Sequence, residues 1–182
     1  MVRCRFSRAC LGRSGCPSTS PSLSQLYGTV FGVGRHAAIV RKPDGRIRVG
    51  TSGAFIGDNV YNTTGLHETV TGLAKAGKTI TFGISIQNDG NAADSFKLRA
   101  TGTKASAYTV KYYAGHTDIT AKVVAGTYKS ASLTAGGTVL ITATVTLNKK
   151  TAAGSKVTRL VTITSVGSSS KKDAVTFIAK RA

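Results

Sequence analysis

From Thr79 to Gln87 apolar and polar positions alternate. Ile80, Phe82, Ile84 and Ile86 fall on one side; Thr79, Thr81, Ser85 and Gln87 fall on the other. A period of two marks a strand with one buried face. The pattern returns at Ser95–Thr101, where Phe96, Leu98 and Ala100 point inward and Lys97 and Arg99 outward. It returns again at Tyr108–Tyr113, with Tyr108, Val110 and Tyr112 inward. Val139–Leu147 sets Val139, Ile141, Ala143, Val145 and Leu147 against Thr142, Thr144 and Thr146, and Ala174–Lys180 turns Val175, Phe177 and Ala179 inward. Val157–Val166 is a further β run, interrupted where Leu160 stands next to Val161. Weaker strands are expected at Arg46–Val49, His67–Leu73, Ile119–Val124 and Tyr128–Leu133. Asn88-Asp89-Gly90 reads as a hairpin turn and Ala114-Gly115-His116 as another turn.

Eight to ten short strands and no amphipathic helix of useful length predict an all-β fold. The regular spacing points to an antiparallel sandwich or barrel. One apolar face per strand, with threonine-rich outer faces, fits two sheets packed around one core. Composition agrees: Thr is abundant, Glu occurs once (Glu68), and Trp is absent from the 182 residues. Leu and Met are scarce too, and helix surfaces are usually built from Glu, Lys, Ala and Leu, so the composition argues against an all-α protein. Apolar content of 41% supports a core, and no window approaches 18 consecutive apolar residues, which excludes an ordinary transmembrane helix.

The pattern changes near residue 42. Residues 1–42 are expected to be a basic, Cys- and Ser-containing, disordered extension, and residues 43–182 the folded domain. Cys4, Cys10 and Cys16 form no CxxC pair and have no histidine at ligand spacing, so they predict neither a zinc site nor a disulfide within the domain. The apolar stretch Val30–Val40 is broken by Gly32, Gly34, Arg35 and His36, and no signal peptide is evident.

Charge adds the strongest functional hint. There are 25 Lys and Arg against 7 Asp and Glu, a net charge of +18. A surface of that sign attracts polyanions such as acidic glycans, cell-wall polymers or nucleic acid. Lys97, Arg99 and Lys111, on outward strand positions, are the candidate polyanion contacts. With no recognition helix in view, such binding is expected to be weak, salt-sensitive and similar for heparin-like polymer and DNA.

Residues suited to chemistry do not assemble into a motif. Gly72–Thr79 matches the phosphate-loop pattern GxxxxGK[ST], but an alternating β run follows where a phosphate loop needs a helix. It reads as a Gly77-Lys78 turn between strands. Asp89 and Asp94 flank a turn without the spacing of an EF-hand, and His36, His67 and His116 lie far apart. No catalytic, cofactor or metal-binding residue is assigned, and the chain is expected not to be an enzyme. Adjacent Tyr112 and Tyr113 must point to opposite faces, so one of them is expected to be exposed or to cover an edge.

The order of turns carries a resemblance. It runs through Pro43-Asp44-Gly45, Gly57-Asp58-Asn59-Val60-Tyr61-Asn62, Asn88-Asp89-Gly90, Ala93-Asp94-Ser95-Phe96 and Ala135-Gly136-Gly137, followed by a long Thr/Val strand. Over roughly residues 43–182 this resembles the immunoglobulin-like β-sandwich modules of bacterial secreted and cell-surface proteins, including the cell-adhesion-related (CARDB-like) group. The resemblance implies an immunoglobulin-like fold, an extracellular or cell-surface location, and a structural, spacer or adhesion role beside neighbouring modules or through self-association. It carries over no catalytic residue. Two other readings stay open: a small viral-type jelly-roll coat protein with a basic nucleic-acid-binding arm, and a carbohydrate-binding accessory domain with an aromatic platform.

Overall fold

The computed structural model describes residues 37–102 and 105–182. The expected extension, with its three cysteines, lies outside the described residues as far as residue 36. The chain runs through β1 (Pro43–Val49), β2 (Thr69–Ala74), β3 (Thr79–Asn88), β4 (Phe96–Thr101), β5 (Tyr108–Ala114) and β6 (Thr117–Asp118). It continues through α1 (Thr120–Ala125), β7 (Tyr128–Lys129), β8 (Thr138–Leu147), β9 (Lys156–Ser165) and β10 (Lys172–Arg181). Two five-stranded sheets result, ordered β1-β3-β8-β5-β6 and β2-β10-β9-β4-β7. They pack face to face as an immunoglobulin-like β-sandwich. Pairing is antiparallel throughout the described strands except at β2, which lies parallel to β10.

The alternation fixes the core. Ile80, Phe82, Ile84 and Ile86 of β3 are buried against Val161 and Ile163 of β9 and Val175, Phe177 and Ala179 of β10. Phe82 and Phe177 stack across the sandwich with ring centroids 4.7 Å apart, and Tyr112 tilts against Phe177 at 6.3 Å. Tyr112 is buried and its neighbour Tyr113 half-buried, as opposite strand faces require.

Two local expectations are corrected. Ile119–Val124 was expected as a strand, yet Thr120–Ala125 is a short helix. Ile119 and Val123 are spaced by four, so a helical turn buries both, and a period of two would align them equally well. Local bonds decide: Asp118 Oδ1 accepts from the Thr120 N–H at 2.9 Å, Thr120 Oγ1 accepts from the Tyr112 N–H, and Gly126 closes the helix. The second correction concerns Asn88-Asp89-Gly90, which makes no hairpin, because β3 and β4 belong to different sheets. The Asn88 side chain spans the crossing. Its Nδ2 donates to the carbonyls of Ala92 and Leu133 at 2.9 Å, and its Oδ1 accepts from the Gly90 N–H. Gly77-Lys78 is a turn between β2 and β3, so the phosphate-loop pattern has no helix behind it.

Candidate functional site

The register of the second sheet assembles a row of cations. Lys129 of β7 pairs with Lys97 of β4, Lys97 with Thr164 of β9, and Thr164 with Lys172 of β10. Paired residues point to the same face, so the three lysines stand in one line across four strands on the outer side. At a strand spacing of about 4.8 Å the line is roughly 14 Å long. Arg99 stands two residues along β4 from Lys97, on the same face. Lys97, Arg99 and Lys172 line a cleft of about 350 Å³ together with Thr162, Thr164 and Ser169. None of Lys97, Arg99, Lys129 or Lys172 is ion-paired among the described residues, and no carboxylate lines the cleft.

The expected polyanion contacts are therefore divided by the fold. Lys97 and Arg99 share this cleft. Lys111 lies on β5 in the other sheet, where its Nζ is 3.5 Å from Asp118 Oδ2. Bonds from Thr120, with Lys111 beside it, hold the Asp118 carboxyl below its usual range. The outer face around Lys111 is built of threonines: it pairs with Thr144, which pairs with Thr81.

The carboxylates gather elsewhere. Of the seven, Asp44, Asp58, Glu68, Asp89 and Asp173 converge near the start of β1, close enough for their charges to act on one another. Asp44, Glu68 and Asp173 are fully buried. Asp173 accepts from the backbone N–H groups of Gly45 at 2.6 Å and Asn62 at 2.9 Å, tying β10 to β1 and to the loop before β2. Glu68 Oε2 accepts from Asn62 Nδ2 at 2.7 Å, and Asp44 Oδ1 accepts from the Asn59 N–H. Asn62 Oδ1 in turn caps the N–H groups of Thr64, Gly65 and Leu66. Gly57, at φ 98°, passes so close that a Cβ there would lie 2.9 Å from Glu68 Cγ and from the Gly45 carbonyl oxygen.

Burial pushes Glu68 up to about 9, and the nearby charges of Asp173 and Asp44 push the same way. Burial raises Asp44 to about 7, helped by Asp89, Asp173 and Asp58 and opposed by Arg46. Burial also raises Asp173, against the backbone donors that favour its charge. Burial beside Asp173 and Asp44 thus favours the protonated form of Glu68, whose Oε1 has no hydrogen-bond partner. Among the described residues no three His, Cys, Asp or Glu side chains are grouped to hold a metal ion.

Sequence reading missed both assemblies. The cation row needs the β4–β9–β10 register, which spacing does not give. The carboxyl cluster had one visible sign: Asp173 shares the inward parity of Val175 and Phe177, and lies one residue before the strand expected at Ala174.

No family model matches the chain, and no curated protein matches its sequence. Solved structures offer distant likenesses. A FixG-related protein from Vibrio parahaemolyticus matches with TM-score 0.43 and 7% identity over 78% of this chain and 98% of that one. The ASH/PapD-like domain 7 of human CEP192 matches with TM-score 0.41 and 9% identity over 75% and 84%. The secreted serine protease VesC from Vibrio cholerae matches with TM-score 0.41 and 9% identity over 62% of this chain, and the match spans 21% of VesC. None of these scores reaches 0.5; the fold described above rests on this chain's own strands and registers.

Proposed function

We propose that the chain is a non-enzymatic, exported β-sandwich module that works at a bacterial cell surface in a spacer or adhesion role. In this reading it holds anionic polymer, such as an acidic glycan or a cell-wall polymer, on the outer face of its second sheet. The observation that carries the reading is the row Lys129, Lys97 and Lys172 with Arg99 beside it, unpaired among the described residues and free of carboxylates. Cations left unpaired in this way bind by releasing counterions from the polymer rather than by breaking bonds within the protein. The face carries threonine and serine hydroxyls but, among the described residues, no inserted element of the kind that reads a DNA groove.

The test is titration of the whole chain with heparin and with duplex DNA at two salt concentrations. Heparin binding should fall on the order of a hundredfold between about 50 and about 200 mM salt, as release from roughly four contacts requires. The double variant Lys97→Ala/Arg99→Ala should weaken it, whereas Lys111→Ala should change it little. Absence of heparin binding at low salt would remove the anionic-polymer reading. Recovery of the chain solely from the cytosol of the producing cells would remove the surface role.

A further inference from the structure

The cleft on the second sheet does not end at Lys172. That residue also lines a second cleft, of about 300 Å³, together with Arg41, Lys42, Lys171 and Tyr61. A third, of about 310 Å³, shares Arg41 and Lys171 with the second and adds Ser168. The first and third clefts share no wall, but the second adjoins both, through Lys172 and through Arg41 and Lys171, and so joins them into one path. The path begins at Lys129 and Lys97 and crosses the sheet to Lys172, where β10 starts. It continues over Lys171, Arg41 and Lys42. It has a defined far end. The Tyr61 hydroxyl donates to Asp89 there, and Lys42 Nζ stands 3.9 Å over the Tyr61 ring, so beyond Tyr61 the charge turns negative.

The cations on this path differ in how firmly they are held. Arg41 is a fixed post: it donates to the Ala93 carbonyl, lies 3.9 Å from Asp94 and packs beside Gly167. Lys97, Lys129, Lys171 and Lys172 are exposed and unpaired among the described residues. A monomeric anion meets two or three of these charges at a time. A linear polymer meets all of them and gains at every step, because the second and later contacts are intramolecular.

Building on the function proposed above, we propose that the three clefts form one track for a single extended acidic polysaccharide, running from Lys129 on β7 to Lys42 beside Tyr61. Side-chain chemistry favours a saccharide over a single-stranded nucleic acid. The clefts on the track present the hydroxyls of Thr162, Thr164, Ser168 and Ser169 for sugar and acid oxygens. Bases need aromatic faces to stack on. The aromatic side chain on the track is Tyr61, and Lys42 covers one face of its ring.

The experiment uses the whole chain and heparin-derived tetra-, octa- and dodecasaccharides, with an oligo-dT of matched charge as comparison. Affinity should rise steeply from the tetra- to the dodecasaccharide. Lys97→Ala/Arg99→Ala, at one end, and Lys171→Ala, at the other, should each weaken the dodecasaccharide. They should lower the salt slope by roughly two and one respectively. These side chains are exposed, and a thermal melt verifies that each variant is folded. Lys42→Ala/Lys171→Ala gives a stronger lesion at the Tyr61 end. Loss at both ends, with oligo-dT binding no tighter than the dodecasaccharide, supports the track. Two results overturn it while leaving the proposed function standing: full dodecasaccharide affinity in Lys42→Ala/Lys171→Ala, or no gain beyond the tetrasaccharide. Tighter binding of oligo-dT overturns the choice of partner. Failure of every oligosaccharide to bind the unaltered chain overturns the proposed function and the track together.

Discussion

Glu68 shows how far one side chain can depart from its ordinary chemistry. It is buried between Asp173 and Asn62, and folding raises its pKa from 4.5 to about 9. A carboxyl raised on folding contributes stability that is fully present below its unfolded pKa and is lost as pH climbs to the folded one. Asp44, raised to about 7, acts with the same sign over a narrower window. The domain should therefore melt at a higher temperature near pH 5 than near pH 9, the reverse of acid-labile proteins whose buried carboxylates are charged. Glu68→Gln keeps the shape and the bond from Asn62 without a titrating proton. It should match the unaltered chain at low pH and surpass it at high pH. A melting temperature that rises steadily across this range would disprove the protonated corner. Asn62→Ala is the structural counterpart. It strips donors and acceptors from Glu68, Thr64, Gly65 and Leu66, and should cost about 1–3 kcal/mol in chemical denaturation for the buried group it leaves unpaired.

At the scale of the elements, the strands with strict alternation were legible and the short connections were not. β4 and β8 each bury one parity of side chains, so the sequence displays their faces directly; β3 and β10 carry the same apolar alternation, although Gly83 and Ser85 of β3 and Ala174 and Thr176 of β10 are covered as well. The α1 segment escaped because Ile119 and Val123 fit either period, and local bonds from Asp118 and Thr120 chose the helix. The Asn88 turn escaped because its side chain bonds decide between a hairpin and a crossing, and such bonds leave no period in a sequence. The cation row failed to show for a related reason: Lys97 and Lys172 are 75 positions apart in the chain and meet through two antiparallel pairings. Packing between elements gives its own test at Gly72 of β2. A Cβ there would lie 2.5 Å from Ile80 Cγ2 and 3.0 Å from Phe82 Cζ, where β2 crosses the core edge. Gly72→Ala should destabilise by about 1–3 kcal/mol, the usual cost of overpacking. Phe177→Ala, which removes the ring stacked on Phe82, should cost about 3–5 kcal/mol. If Gly72→Ala proved neutral in urea unfolding, the close approach of β2 to β3 would be wrong.

At the scale of the molecule, charge opposes itself. Residues 43–182 hold 18 basic and 7 acidic side chains, a balance of +11, and five of those acids sit in one corner rather than among the cations. Among the described residues no carboxylate lines the cleft between Lys97 and Lys172, so the second sheet's outer face is left with repulsion. Mobile counterions relieve it instead, and their effect grows as the Debye length shrinks from about 30 Å at 0.01 M salt to about 10 Å at 0.1 M. Raising salt should therefore raise the melting temperature of the free protein. A bound polyanion relieves the same repulsion more strongly and stabilises by mass action as well. Heparin should accordingly raise the melting temperature most at low salt, and its increment should shrink as salt rises, since the two sources of relief compete for one surface. The measurement is a thermal melt across a salt series with and without saturating heparin, repeated on Lys97→Ala/Arg99→Ala. That variant starts with less repulsion, so its melting temperature should depend less on salt and its heparin increment should be smaller at every concentration. A heparin increment that stayed constant as salt rose would require contacts other than charge, and the cationic face would then not be the binding surface.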